Sequence, residues 1–167
     1  YYDVICFDED ELAVREAYIR DNPRRWALRD VPEGVAGGMR YRGNRALLDI
    51  PGERLALRVS RRADDTAIAG VKKKLIGFEG LVCSTFFSPG ERACLEVLQA
   101  EKAQVVWAAP IALPTKITKA WTRPFLEERA LWVSNCPEEQ KDATRASCEE
   151  ANRWVKRFCN AKERDSR

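Results

Sequence analysis

Apolar runs alternate with amphipathic stretches along the chain from residue 55 onwards. The strand runs are unbroken rather than alternating, which indicates a sheet covered by helices on both faces. The pattern therefore predicts an α/β fold: a Rossmann-like three-layer sandwich with a mostly parallel sheet. The expected strands lie over 55–60, 80–84, 104–109 and 131–134, and the expected helices over 65–76, 89–102, about 121–128 and about 139–161.

The region before this pattern is expected to form a small helical and extended appendage. Asp8 can cap a helix over about 9–21, with Glu11 at the capping-box position. Asn22-Pro23 should end that helix, because the residue before a proline is pushed out of the helical region.

A change in composition indicates where the appendage ends. A Gly/Pro-rich loop over 31–38 and an extended segment over 39–48 follow the helix. Every basic residue from 15 to 62 is an arginine, twelve against six acids, whereas the segment after it is nearly balanced in charge. We therefore predict two domains, residues 1–53 and residues 54–167.

The arginine-rich stretch is interleaved with aromatic side chains, among them Tyr18, Trp26 and Tyr41. Such a mixture is compatible with binding a nucleic-acid backbone through the guanidinium groups and bases by stacking. The predicted nucleic-acid surface consists of Arg20, Arg24, Arg25, Arg40, Arg42 and Arg45.

The 167 residues contain no histidine, which excludes a histidine base, a Ser-His-Asp or Cys-His nucleophile and a histidine metal ligand within this chain. None of the six cysteines belongs to a Cys-x-x-Cys pair, so they are expected to be reduced core residues of a cytoplasmic protein rather than zinc ligands. No run approaches the roughly 20 apolar residues of a membrane span. We therefore expect no metal, no cofactor and no membrane association.

Hydroxyl side chains and a glycine lie between the expected strand 80–84 and the helix after it. In parallel sheets, ligands bind beyond the carboxyl ends of strands, where free N–H groups at helix starts accept phosphate. Arg61, directly after another strand, and Arg153, beside Asn152, could act as clamps. A plain turn capped by Ser88, with solvated arginines nearby, stays open as an alternative. The predicted phosphate-binding residues are Ser84, Thr85, Ser88, Gly90, Arg92, Arg61 and Arg153.

Residues 8–25 lead from an acidic run into Tyr18-Ile19-Arg20-Asp21-Asn22-Pro23. This stretch resembles the tyrosine-bearing helix of the REP-associated, single-strand DNA transposase family. The resemblance implies that Tyr18 is a nucleophile for a DNA phosphate. The family also uses a His-hydrophobe-His metal site, which this chain lacks. Because the sequence also starts without Met, we expect it to be a C-terminal fragment that does not cleave DNA by itself.

From about residue 55 the chain looks like the Rossmann-like domain of the DNA-processing protein family, which is related to the cytokinin-activating phosphoribohydrolases. Residues 57–61 lie where that family has a strand ending in Gly-Ser-Arg, and residues 84–92 lie at its second phosphate loop. Asn152-Arg153 falls where an Arg-Asn-Arg begins a helix. Val59 replaces the glycine, and the Pro-Gly-Gly-x-Gly-Thr loop of the phosphoribohydrolases is absent, which argues against their hydrolysis reaction.

These observations predict a nucleic-acid-associated binding module of a bacterial transposase-like protein. It would bind single-stranded DNA or a nucleotide phosphate and would be catalytically silent in this chain. One alternative is an enzyme acting on a nucleotide or nucleoside phosphate, with Glu91 or Glu96 as acid or base. Another is a structural or interaction domain without a ligand. The sequence also leaves a homodimer open.

Overall fold

The computed structural model describes residues 8–160, except for the side chains of residues 20–26. These residues belong to two compact units, which divide between Asp30 and Val31. This division lies earlier than the predicted boundary between residues 53 and 54. The reason is that two strands of the predicted appendage pair with the main sheet.

In the first unit, helix α1 spans Glu9–Ala27 and a 3-10 turn follows. The Glu11 N–H donates to Asp8 Oδ1 at 2.7 Å, which confirms the predicted cap. The helix does not end at Asn22-Pro23 but continues to Ala27, so the predicted helix end is wrong. A proline biases the preceding residue away from helical angles without forbidding them, so helices can pass through a proline.

The second unit is built on one six-stranded sheet with the order β1-β2-β6-β5-β4-β3. Strands β3 to β6 run parallel to one another, and β1 and β2 are antiparallel additions beside β6. The mostly parallel Rossmann-like sheet is therefore confirmed. Its strands are β1 (Glu33–Ala36), β2 (Met39–Gly43), β3 (Arg54–Ala56), β4 (Leu81–Ser84), β5 (Gln104–Ala108) and β6 (Ala130–Ser134).

The β1–β2 hairpin was expected only in part, because β1 lies inside the predicted loop 31–38. Gly37 and Gly38 both have positive φ angles, 57° and 79°, which suits the two-residue turn of a hairpin. Strand β2 ends at Gly43, and a 3-10 turn capped by the Asn44 side chain replaces the rest of the predicted extended segment. Because β2 pairs with β6, the hairpin belongs to the second unit.

The helices of the second unit cover both faces of the sheet, as predicted. Neighbouring helices α2, α3 and α4 pack side by side, and α5 packs against β3, β4 and β5. Helix α5 begins six residues later than predicted, because Thr144 and Ser147 form a capping box there. The bounds are α2 (Asp65–Leu75), α3 (Pro89–Ala100), α4 (Lys119–Leu126) and α5 (Arg145–Cys159).

The core lies on both sides of the sheet. Every residue of β4 and β6 is buried, which is the two-sided burial that unbroken apolar strands predict. Alternate residues of the strands pack against Ala151, Val155 and Phe158 of α5. On the opposite side, Trp121 of α4 contacts Trp132 edge-on at a ring-centroid distance of 5.4 Å. Among the described residues, no helix is long and apolar enough to cross a membrane.

Candidate functional site

A cleft of about 500 Å³ lies beyond the carboxyl ends of β3 and β4. We call it the β3–β4 cleft. Its walls are the segment after β3, the turn between β4 and α3, and the first half of α5. The structure thus brings together residues from the three regions that the sequence singled out. They include Arg58, Arg61, Thr85, Phe87, Cys148 and Asn152.

The carboxylate of Glu91 occupies the start of α3, where the sequence predicted a phosphate. Its Oε2 accepts hydrogen bonds from the Thr85 hydroxyl at 3.0 Å and from the Phe87 N–H at 2.9 Å. The same oxygen accepts a longer bond from the Ser88 N–H, and Oε1 accepts one from the Val59 N–H at 3.3 Å. Glu91 is only 5% exposed. An internal anion therefore uses the donors at this helix start.

The remaining hydroxyls of the predicted loop also have protein partners. The Ser88 hydroxyl donates to the Val59 carbonyl at 2.9 Å and accepts from the Glu91 N–H at 3.1 Å, which completes a capping box. Ser84 is fully buried, and its Oγ accepts from the Phe86 N–H. The alternative of a turn capped by Ser88 is therefore present in the structure, whereas the binding of phosphate by this loop stays a prediction.

Gly90 has a packing reason to be glycine. A Cβ at this position would lie 2.4 Å from Cγ1 of Val59, so no larger residue fits without movement of the segment after β3. Gly90 thereby lets α3 approach Val59 closely. The other role predicted for Gly90, to let a ligand approach the backbone, stays a prediction.

The open side of the cleft carries positive charge and an aromatic ring. The Arg61 guanidinium lies 5.1 Å from the centroid of the Phe87 ring, a cation–π distance. Phe86 has a positive φ of 46° and is buried, whereas the next ring, Phe87, is 39% exposed. Among the described carboxylates, none forms an ion pair with Arg58 or Arg61. These two guanidinium groups are therefore available to an anion.

Two side chains of α5 face the same cleft. The Asn152 amide donates to the Cys148 carbonyl at 2.8 Å, which holds Asn152 along the helix. Burial raises the pKa of the Cys148 thiol, and the positive charge of Arg61 partly offsets that increase. The charge of Arg61 therefore affects the Cys148 thiol, which lies on α5 across the cleft.

Two arginines of the predicted phosphate-binding set lie elsewhere. Arg153 is adjacent to Asn152 but does not line the cleft; it pairs with Glu150 and is 66% exposed. Arg92 is an exposed residue of α3, also outside the lining. Their predicted roles as phosphate ligands find no support in this placement. On a helix, neighbours in sequence point in directions about 100° apart, so Asn152 and Arg153 do not share a face.

Sequence reasoning missed Arg58 and Phe87 as residues of the cleft. Strand β3 was expected to reach residue 60, but it ends at Ala56, so Arg58 belongs to the turn beyond the strand. Phe87 could have been found from its position, since it is an apolar residue between the buried β4 and the Pro89 start of α3.

A second concavity, of about 570 Å³, lies beside the β1–β2 hairpin and the loop after β5. We call it the hairpin pocket. Arg42 donates to the Thr115 carbonyl at 2.7 Å and to the Pro114 carbonyl at 3.3 Å, and it lies 3.6 Å from the carboxylate of Glu33. Arg40 pairs with Glu138. Both predicted nucleic-acid contacts are therefore engaged with protein groups.

The other residues of the predicted nucleic-acid surface are divided between the two units. Arg45 is exposed in the 3-10 turn after β2. Arg20, Arg24 and Arg25 belong to α1 in the first unit, and their side chains lie outside the described residues. Tyr18 is 56% exposed on α1. Its predicted role as a nucleophile stays a prediction.

The five described cysteines are free thiols. Cys83, Cys94 and Cys136 are buried, as expected for small core residues. Cys148 and Cys159 are only half-buried. Among the residues from 8 to 160, no group of three or more cysteine, aspartate or glutamate side chains is placed to hold a metal ion.

Comparison with solved structures shows the same fold in a DNA-processing protein. The chain is similar to DNA processing protein A (DprA) from Streptococcus pneumoniae, with a TM-score of 0.59 and 16% sequence identity. The similarity covers 92% of this chain and 60% of that one, so the chain spans less than two thirds of its neighbour's length. No family model and no curated protein matches the sequence. The comparison confirms the Rossmann-like fold expected from the resemblance to the DNA-processing family, and the resemblance of residues 8–25 to transposases stays a prediction.

Proposed function

We propose that the second unit is a nucleic-acid-associated module that binds the phosphates of single-stranded DNA or of a nucleotide in the β3–β4 cleft. The observation that carries the proposal is the pair Arg58 and Arg61, exposed at the carboxyl end of β3 without a carboxylate partner among the described residues. Ligands of open parallel sheets bind at this end of the strands. The exposed ring of Phe87 adds a surface on which a base can stack.

The internal carboxylate decides where the phosphate would lie. A phosphate at the start of α3 would compete with Glu91 for the N–H groups of Phe87 and Ser88, and the two anions would repel each other. The favoured position is therefore nearer Arg58 and Arg61, with Thr85 and Ser88 shaping the wall. Arginine is suited to this contact, because its planar fork can bind two phosphate oxygens.

The transposase-like part of the proposal concerns α1. If Tyr18 attacks a DNA phosphate, the metal site must come from a part of the protein that this chain does not include, since the chain has no histidine. This chain would then bind DNA without cleaving it. The alternative of an enzyme is less well supported, because both oxygens of Glu91 accept hydrogen bonds and Glu96 is exposed on α3.

The test is binding of a fluorescent oligothymidine to the full chain, measured by anisotropy at two salt concentrations. We expect affinity to fall between about 50 and 200 mM salt, because phosphate contacts release counterions. Arg61→Gln should weaken binding about tenfold, since one charge-assisted contact contributes roughly 1.5 kcal/mol. Arg145→Gln is the matched control: it removes one charge from a residue 93% exposed and paired with Glu149.

Three outcomes would overturn the proposal. Binding could be absent at the lower salt concentration, it could be insensitive to salt, or Arg145→Gln could weaken it as much as Arg61→Gln does. A thermal-shift panel distinguishes the enzyme alternative, which predicts selective stabilisation by a mononucleotide but not by the oligonucleotide.

A further inference from the structure

Two cysteines meet where the end of α5 packs against β4. Cys83 lies on β4, and Cys159 is the last residue of α5. Cys159 packs against the core cluster that contains Cys83, and each of the two thiols changes the pKa of the other. Both are free thiols. The structure therefore places two reduced cysteines on the same side of the core, on two elements that are distant in sequence.

A guanidinium group lies at the same place. Arg54 donates to the carbonyl of Phe158 at 2.7 Å and to the carbonyl of Leu48 at 2.6 Å. It thus caps the last turn of α5, where a helix presents its negative end. Parallel pairing of β3 with β4 places Arg54 opposite Leu81, two residues before Cys83 and so on the same face of the sheet.

The two thiols have different environments. Cys83 is fully buried, whereas Cys159 is half-buried and lies at a helix end. The neighbouring Cys83 side chain and the charge of Arg54 lower the pKa of Cys159, against the opposing effect of burial. The neighbouring Cys159 side chain and burial raise the pKa of Cys83. Of the pair, Cys159 is the more accessible sulfur, so an oxidant in solvent reaches it before it reaches the buried Cys83.

We propose that Cys83 and Cys159 form a peroxide-sensitive pair, in which Cys159 is oxidised first and Cys83 then closes a disulfide. The Cys159 thiolate attacks hydrogen peroxide: an S–O bond forms, the O–O bond breaks and hydroxide leaves. The product is a sulfenic acid. The Cys83 sulfur then attacks Cys159: the S–S bond forms, the S–O bond breaks, and the leaving oxygen departs as water with the Cys83 proton. Two thiols are oxidised and one peroxide is reduced.

The disulfide would tie the end of α5 to the central sheet. Closing a long loop restricts the unfolded chain, so the oxidised protein should resist unfolding better than the reduced one. Helix α5 also supplies Cys148 and Asn152 to the β3–β4 cleft, so the tether would act on a wall of that cleft. The pair itself lies outside the cleft lining, and its oxidation does not depend on what the cleft binds.

The experiment treats the reduced full chain with a small excess of hydrogen peroxide. Remaining thiols are then blocked, and a non-reducing digest is analysed by mass spectrometry. We expect one disulfide-linked peptide pair joining Cys83 to Cys159, a mass loss of two hydrogen atoms and a melting temperature raised by several degrees, all reversed by dithiothreitol. A wild-type chain in which Cys136 and Cys148 become linked first would overturn the proposal.

Variants separate the two steps. In Cys83→Ser the sulfenic acid on Cys159 should persist long enough to be trapped by a dimedone-type reagent. In Cys159→Ser the buried Cys83 should stay reduced. Cys148→Ser is the matched control, because Cys148 is also a half-buried cysteine of α5 but has its pKa raised by burial. The proposal is wrong if Cys148→Ser blocks the disulfide, or if trapping labels Cys148 before Cys159. The disulfide map of the wild-type chain tests the proposal even if one of the variants folds poorly.

Discussion

The β3–β4 cleft and the hairpin pocket both contain two arginines, but those arginines have different partners. In the hairpin pocket, Arg42 binds two carbonyls and approaches Glu33, and Arg40 pairs with Glu138. In the cleft, Arg58 and Arg61 have no carboxylate partner among the described residues. The one carboxylate that lines the cleft, Glu91, binds backbone and hydroxyl donors instead. The two concavities have similar volumes, but only the arginines of the hairpin pocket are paired with carboxylates of the described residues.

The difference teaches that a count of arginines does not locate a site for anions. A guanidinium that already binds carbonyls and a carboxylate would have to give up those partners to bind phosphate. A guanidinium group without a protein partner gives up only its hydrating water when it binds phosphate. We therefore expect the affinity for nucleic acid to follow Arg58 and Arg61, and the free energy of unfolding to follow Glu91 and Arg42.

The largest effect should come from the internal carboxylate of the cleft. Glu91→Ala removes the acceptor of three N–H groups and of the Thr85 hydroxyl, and it leaves them in a buried place. We expect the free energy of unfolding to fall by about 2–4 kcal/mol, because buried donors without an acceptor are costly. Chemical denaturation measures it.

Glu96→Ala serves as the control, since it removes an exposed carboxylate from the same helix. Its effect should stay within about 0.5 kcal/mol. Equal losses in both variants would show that Glu91 contributes only charge, and the contrast between the two concavities would then fail.

Much of the fold could be predicted, because its signals are local. The strand runs of β4, β5 and β6 are short and mostly apolar, and spacing alone located them and helices α2, α3 and α4 to within about two residues. The end of α1 and the start of α5 were each misplaced by six residues, because they depend on a tolerated proline and on a capping box. Strand β1 was missed because its four residues have an alternating, half-exposed pattern beside Gly37 and Gly38. Its place in the sheet comes from pairing with β2, a contact that no local pattern encodes.

The site was predicted less well, for a physical reason. The sequence located Arg61, Thr85, Ser88 and Asn152, which the fold brings to one cleft. It could not show that Glu91 turns back to accept the bonds that a phosphate was expected to accept. Which donors a carboxylate reaches depends on packing between α3 and the segment after β3. The same holds for Arg42, whose carbonyl partners lie over seventy positions away.

A smaller effect should distinguish the arginines of the hairpin pocket from those of the cleft. Arg42→Ala removes two hydrogen bonds to carbonyls from a side chain that is 14% exposed. We expect the free energy of unfolding to fall by about 1–2 kcal/mol, with oligothymidine affinity unchanged. Arg45→Ala is the matched control, because Arg45 is exposed on the adjoining turn, and it should change neither quantity. A loss of affinity in Arg42→Ala without a loss of stability would reverse the assignment of the two concavities.

The smallest expected effect tests whether Arg61 places positive charge in the cleft when no ligand is bound. Arg61 lowers the pKa of Cys148 against the larger effect of burial, so Arg61→Gln should raise that pKa further. At a pH below the thiol's pKa, a higher pKa means less thiolate, and alkylation of Cys148 by iodoacetamide should slow by a modest factor. Peptide mapping of the labelled chain measures the rate at Cys148 alone. Arg145→Gln removes a charge three residues from Cys148 on the same helix and should leave the rate unchanged, because this guanidinium is 93% exposed and solvent screens its charge. If both variants slow the reaction equally, the charge that Cys148 senses is spread over the helix surface, and Arg61 does not face into the cleft as an available cation.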